Sequence, residues 1–437
     1  MNRLSQSLSR GLARVTEAAL GPYQSAVIRI GFAGTWLFFL LREFPHRQEL
    51  YGPSGPWDWD MGRRLTEDNH AFTALMWSEG QLWFECFYTL AILASAALLL
   101  GWRTRTASVL FMVGVLSLQN RSVFVGDGGD NVLHLMAIYL VFTRCGQVWS
   151  LDARRRARGE RAPSDQFSSD RAPTGGAPTG RTPADRVGPF LWAVLGLALI
   201  TVTATGRLFG NAWLIPVLLW TVWVALGLWW LVQRLARSPE PRVLLDVIAN
   251  VLHNGALVVI MAEACLIYAT AGWYKIQGSR WQDGTAVYYP LHLDYFTPWP
   301  GLADLMSTSG TILMIVAYGT VMVQVAFPFT LLNRRVKNVL LVLLMLEHSV
   351  IAVVLGLPFF SLAMITADAV FLPTSFLRRV GALATRARGR FVEDDGHGDG
   401  RDIGGDTGRD IGGGEDGTVP APRSPEDSAP GPVGFTA

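Results

Sequence analysis

Several stretches of this chain stay apolar for 17 residues or more, long enough to reach across the hydrocarbon core of a bilayer as a helix. Hydrocarbon offers no water to satisfy peptide groups, so such a segment must close its own backbone hydrogen bonds. Ten candidate spans result, at roughly 25–41, 82–100, 107–125, 131–146, 189–206, 212–231, 247–272, 310–330, 338–356 and 358–373. Only Leu357–Phe359 separates the last two. Composition points the same way: 50% of the 437 residues are hydrophobic and 16% are charged, against about 25% charged in an average soluble domain. The predicted fold is all-α, a polytopic integral membrane helical bundle of about ten transmembrane helices.

Arginine and lysine are sorted by loop. With the N-terminus inside, the segments on that side hold 24 of them and those on the other side 7, the asymmetry expected of cytoplasmic loops. Both termini are therefore expected in the cytoplasm, in a multi-pass protein of the cell membrane. The lipid bilayer is its expected partner, and no nucleic acid is. Residues 1–151 carry helices one to four, 152–188 a linker, 189–375 helices five to ten, and 376–437 a tail that is first basic and then Gly/Asp-rich. Arg154–Arg186 is rich in Arg, Pro, Gly, Ser and Thr, with too little apolar area to offset the entropy of ordering it. The tail from Val392 holds two copies of Gly-Arg-Asp-Ile-Gly-Gly. Linker and tail are both predicted to be disordered. Arg3, Arg10 and Arg14 before the first apolar run imitate a secretory signal, but no small-residue cleavage site follows, so an uncleaved first helix is expected. Cys86, Cys145 and Cys265 lie in or beside apolar segments and read as small buried thiols rather than a disulfide framework.

Ionisable side chains inside spans are costly, which makes them functional candidates by default. Here they are Arg29, Glu85, His134, His253, Glu263, Glu347, His348 and Asp368. Arg29 lies about one turn inside the first span, where it either snorkels to the headgroups or pairs with an acid such as Glu85. Glu347 and His348 are adjacent, about 100° apart on a helix, and so cannot line one surface together. A lone histidine such as His348 is more often a satisfied core residue than a ligand. In the turn made by Gly126, Gly128 and Gly129, Asp130 or Asn131 is expected to cap the helix that follows.

Lys275 is the only lysine in the first 336 residues. Asn254, Met261, Tyr268 and Lys275 are spaced by seven and share one helical stripe. The plain reading is a packing seam ending in an interfacial anchor. The next segment, Trp281–Pro300, adds six aromatic side chains along with Asp283, Gly284, His292 and Asp294. It reads either as an ordinary interfacial aromatic belt or as a re-entrant or interfacial helix over a pocket.

Together these stretches resemble the vitamin K-dependent gamma-carboxylase-like superfamily, and more closely its bacterial branch, the HTTM (horizontally transferred transmembrane) domain proteins. Ala271–Tyr289 (AGWYKIQGSRWQDGTAVYY) is similar to the family's Ala-Gly-x-x-Lys, Trp and Gly segment. Asn120–Phe142 with Trp149–Asp152, Glu347–Pro373 with its histidine, and Arg29 with Gly31 add to the likeness, which spans roughly 25–151 and 245–375. The resemblance implies that Lys275 is the catalytic base, on the extracytoplasmic side. It implies a reduced quinone such as menaquinone as cofactor, and carboxylase-like or quinone-linked acid–base and redox chemistry. The pocket residues it suggests are Tyr268, Trp281, Asp283, Gly284, Asp130, Asn131, His348 and Arg29. The chain reads Gly129–Asp130–Asn131 where the carboxylase has Asn-Asn-His, and its fifth and sixth spans have no counterpart. A non-catalytic membrane binding protein or transporter-like module is the second reading, although a transporter favours paired repeats, and none is evident in the sequence. The sequence has no P-loop, dinucleotide glycine fingerprint, CxxC pair or HExxH, and no metal site is predicted.

Overall fold

The computed structural model describes residues 3–161, 187–208, 213–236 and 238–395, which form helices with no strand among them. α1 (Arg3–Glu17) precedes α2 (Pro22–Arg42), and α3 (Arg47–Tyr51) and α4 (Trp59–Asp68) lie in the connection to α5 (Gln81–Leu100). Next come α6 (Thr104–Arg121), α7 (Gly128–Phe142), α8 (Leu151–Arg161), α9 (Val187–Ala204), α10 (Leu214–Leu235) and α11 (Glu240–Gln277). α12 (Ser279–Gln282), α13 (Pro300–Ser307), α14 (Gly310–Ala326), α15 (Arg334–Val354), α16 (Pro358–Asp368) and α17 (Thr374–Asp395) follow.

Seven of these are long and apolar enough to cross a membrane: α2, α5, α9, α10, α11, α14 with the turn after it, and α15. The pair Pro358–Phe371 and Thr374–Arg386 passes the same test only if counted together, and it is bent by 115°. α11 has 38 residues and extends well beyond the predicted 247–272. α7 has 15, about 22 Å of helix.

The main core joins α2, α5, α6, α7 and α16 through side chains such as Phe32, Trp36, Tyr88, Phe111 and Met136, all buried. Arg29 is fully buried within it, and the suggested pairing with Glu85 does not form. The guanidinium donates to the carbonyls of Leu98 (2.5 Å), Leu99 (2.7 Å), Cys145 (3.2 Å) and Trp149 (2.8 Å). Leu98 and Leu99 are in the last turn of α5, where carbonyls lack helical partners and the macrodipole is negative. Arg29 is near the start of α2 and meets the end of α5, whereas Glu85 is in the first turns of α5. Glu85 instead accepts from Arg47 and Gln48.

α9 and α10 pair by a clasp. Trp192 and Trp223 stack at 4.4 Å, and each indole N–H donates to the other's backbone carbonyl, at 2.9 and 3.0 Å. Gly196 and Gly227, each one turn on from a tryptophan, admit the rings: a Cβ on either would lie 2.5 or 2.7 Å from the opposite indole. The remaining faces stay apolar and largely exposed, with Phe190, Leu197, Val224 and Leu228 among the exposed residues.

Two further expectations are corrected. Helix α8 occupies the start of the predicted disordered linker, because Asp152 accepts from the N–H groups of Arg103 and Thr104 and ties α8 to the start of α6. The basic tail is helical to Asp395, past Val392. Residues 162–186 and the Gly-Arg-Asp-Ile-Gly-Gly copies lie outside the described residues. The chain divides into a compact unit, 1–383, and a second, 384–437, of which the described part, 384–395, is helical.

Candidate functional site

α11 presents its predicted stripe in two halves. The first half docks the N-terminal segment: Asn254 accepts from Leu20 N–H and donates to the carbonyls of Val15 and Ala18, while His253 meets Leu20 O and Arg144 N–H. These bonds satisfy carbonyls at the end of α1, so this half is structural. The second half carries Tyr268 and Lys275, two turns apart, and builds the candidate site.

Lys275 Nζ donates to Gln324 Oε1 at 2.7 Å, and Gln324 Nε2 donates to Glu347 Oε1 at 2.6 Å. Lys275 Nζ lies 5.3 Å from the centre of the Trp281 ring, within cation–π range when the amine is protonated. Gln324 is buried on α14, among apolar neighbours. A lysine has only donors and an ionised carboxylate only acceptors, so an amide suits the position between them, offering one of each.

Beside this chain lies a second one. Tyr268 Oη donates to Asp368 Oδ2 at 2.9 Å and lies 3.2 Å from His348 Nε2. The phenol has one proton and gives it to Asp368, so His348 must present Nε2–H, which leaves Nδ1 as an acceptor. That Nδ1 and Asp368 Oδ1 are buried without a partner. Tyr268 also packs edge-on against Phe327, and His348 against Phe360. Adjacent in sequence but about 100° apart on α15, Glu347 and His348 each serve one chain. Side chains of α11, α14, α15 and α16 thus converge.

The other predicted site residues fall elsewhere. Arg29 is the staple described above. Asp127, not Asp130 or Asn131, is the N-cap of α7. Asp130 closes the capping box by accepting from Asp127 N–H and also bonds Gln119, while Asn131 is exposed. The rule that an N-cap carboxylate serves the N–H groups two and three residues on fits Asp127 once the helix starts at Gly128. Asp283 is exposed and accepts from the hydroxyl and N–H of Thr285, bonds that hold its carboxyl below the usual range. Gly284 takes φ of +77°, a left-handed turn that favours glycine. The segment 281–300 is therefore neither a re-entrant nor an interfacial helix. Gly284, Pro290 and Pro298 break it into short turns between α12 and α13.

Gln324 is not among the residues the sequence singles out, although a single amide in the apolar run Gly310–Ala326 is a visible signal. Two clefts open elsewhere on the surface, one of about 480 Å³ beside His70, Asn120, His134 and Trp213, the other of about 420 Å³ beside Trp299 and Val353. Lys275 lines neither. Among the described residues no group of three His, Cys, Asp or Glu side chains is placed to hold a metal. Comparison with protein-family models, curated proteins and solved structures finds no match to this chain.

Proposed function

We propose that this chain is a multi-pass protein of the cell membrane, with about ten spans and both termini in the cytoplasm. On this reading it belongs to the HTTM branch of the vitamin K-dependent gamma-carboxylase-like superfamily. The C-terminal end of α11 faces outward and receives a reduced quinone, such as menaquinone, or a ligand of that size, and Lys275 removes a proton from it. One observation carries the reading: Lys275 is held in place by Gln324 and kept one amide away from Glu347. A direct ion pair would commit the amine to the carboxylate. The amide fixes its position and leaves its other bonding directions for a ligand. An amine can act as a base where a guanidinium cannot.

The test is labelling of the purified protein with an amine reagent, read by mass spectrometry at Lys275 against Lys337, the chain's other lysine. Added menaquinone is expected to slow modification of Lys275 and leave Lys337 unchanged. Equal rates at Lys275 with and without quinone would sink the proposal. The buried Tyr268–His348–Asp368 set favours a second reading, a transporter-like module, since acids and histidines within spans mark proton paths. Proteoliposomes that acidify in response to a solute gradient would select it.

A further inference from the structure

The cleft of about 480 Å³ where α6, α7 and the start of α10 meet has polar groups of its own, which the candidate site does not use. It is lined by Asn120 from the last turn of α6, by His134 from the second turn of α7, and by the exposed His70 just after α4. Much of its wall is apolar, with Phe72, Leu116 and Ile215 facing it. Among the described residues no Asp, Glu, Lys or Arg lines it. Its volume falls within the range of about 300–1,000 Å³ usual for small-molecule sites.

Neighbouring bonds fix what two of these side chains offer. Asp130, which also accepts from Asp127 N–H, accepts from Gln119 Nε2 at 3.2 Å. Gln119 therefore turns its Oε1 to His134 Nδ1, 3.1 Å away. An amide oxygen only accepts, so Nδ1 carries the proton and the neutral ring keeps Nε2 as a bare acceptor. Asn120 Nδ2 donates to Phe72 O at 2.8 Å, which leaves Asn120 Oδ1 as a second acceptor. Neither acceptor has a partner among the described residues, yet neither is sealed from solvent. Each is therefore open to the cleft that its side chain lines. We infer that this cleft binds a neutral alcohol, a molecule with an apolar body and a hydroxyl that donates to His134 Nε2 or Asn120 Oδ1. A carboxylate would meet no cation in the lining, and an ammonium no counter-charge. A ketone, ester or ether has no proton to give and would set its oxygen against two acceptors. The inference stands apart from the role of Lys275.

The experiment is fluorine NMR of the full-length protein in detergent, with para-fluorobenzyl alcohol and its methyl ether as probes and empty micelles as the baseline. Above that baseline the alcohol signal should broaden saturably, and the ether should bind at least several-fold more weakly. His134→Phe keeps a ring but removes one acceptor, and should bring the alcohol closer to the ether. Ala71→Phe adds a ring where Ala71 lines the cleft and removes no side-chain hydrogen bond, so it should abolish the saturable part. Should one variant not fold, the other decides the question, and the comparison of alcohol with ether needs neither. Equal binding of the two probes, no saturable broadening above the micelles, or a response unchanged in a folded variant would each overturn the inference.

Discussion

Tyr268 is the side chain on which the buried polar cluster turns. Its hydroxyl is the only described partner of Asp368 Oδ2 and of His348 Nε2. Tyr268→Phe keeps the ring against Phe327 but strands a buried carboxyl and a buried imidazole. Leaving a buried polar group unpaired costs about 1–3 kcal/mol, so unfolding in detergent should shift by that order. Adding Asp368→Leu to the same protein should recover part of the loss, since the orphaned carboxyl is gone. A double variant no more stable than Tyr268→Phe would show that Asp368 is held by something else. Lys275 makes a different prediction. If it were only an interfacial anchor, Lys275→Arg would serve, because both side chains carry charge on a long apolar stem. As a base it fails on that exchange, since arginine does not give up its proton. If the proposed function holds, Lys275→Arg and Lys275→Ala should both abolish the proposed quinone-dependent activity while expression and membrane insertion stay intact. Full activity in Lys275→Arg would reduce the residue to an anchor.

At the scale of elements, the helices are joined by polar staples as well as by apolar packing. Arg29 reaches from α2 to the end of α5 and to the irregular connection after α7, donating to four carbonyls at once. Arg29→Met keeps the stem and removes every bond. With several carbonyls each costing about 1 kcal/mol when left unpaired, a loss of about 3 kcal/mol or more is expected, seen as a lower melting temperature without a change in helicity. A melting temperature within the error of the unaltered protein would mean water replaces the guanidinium. The α9–α10 clasp rests instead on shape. Gly196→Leu should drive the Trp223 indole from its place, because the new side chain would enter space the ring now fills. Loss of the stack should be visible as a change in near-ultraviolet circular dichroism, and an unchanged tryptophan signal would contradict the arrangement.

For the whole molecule, the proposed orientation rests on charge. The proposed inside segments hold 24 Arg and Lys against 7 on the other side, and basic residues are retained in the cytoplasm. Reporter fusions after Arg186 and after Arg390 should both read cytoplasmic. An external signal at Arg390 alone would place the error in the α15–α16 region, where helix α16 is short and the chain bends by 115° beyond it.

Helicity and the positions of the apolar segments were legible in the sequence, because a helix closes its backbone bonds within about four residues and an apolar run shows its own length. The shared face of Tyr268 and Lys275 was legible for the same reason, as a spacing of seven on one helix. The partners of the buried polar groups were not. Tyr268 meets Asp368 across 100 positions, Lys275 meets Gln324 across 49, and Arg29 meets the end of α5 instead of Glu85. The opening helix α1 holds no long apolar run; its apolar residues Leu4, Leu8, Leu12 and Val15 recur at helical spacing and mark a face, but nothing in that spacing names α11 as the helix it docks on. Only the packing of separate helices brings such groups within hydrogen-bonding distance, and that distance depends on how side chains on both helices interlock, which no single segment encodes.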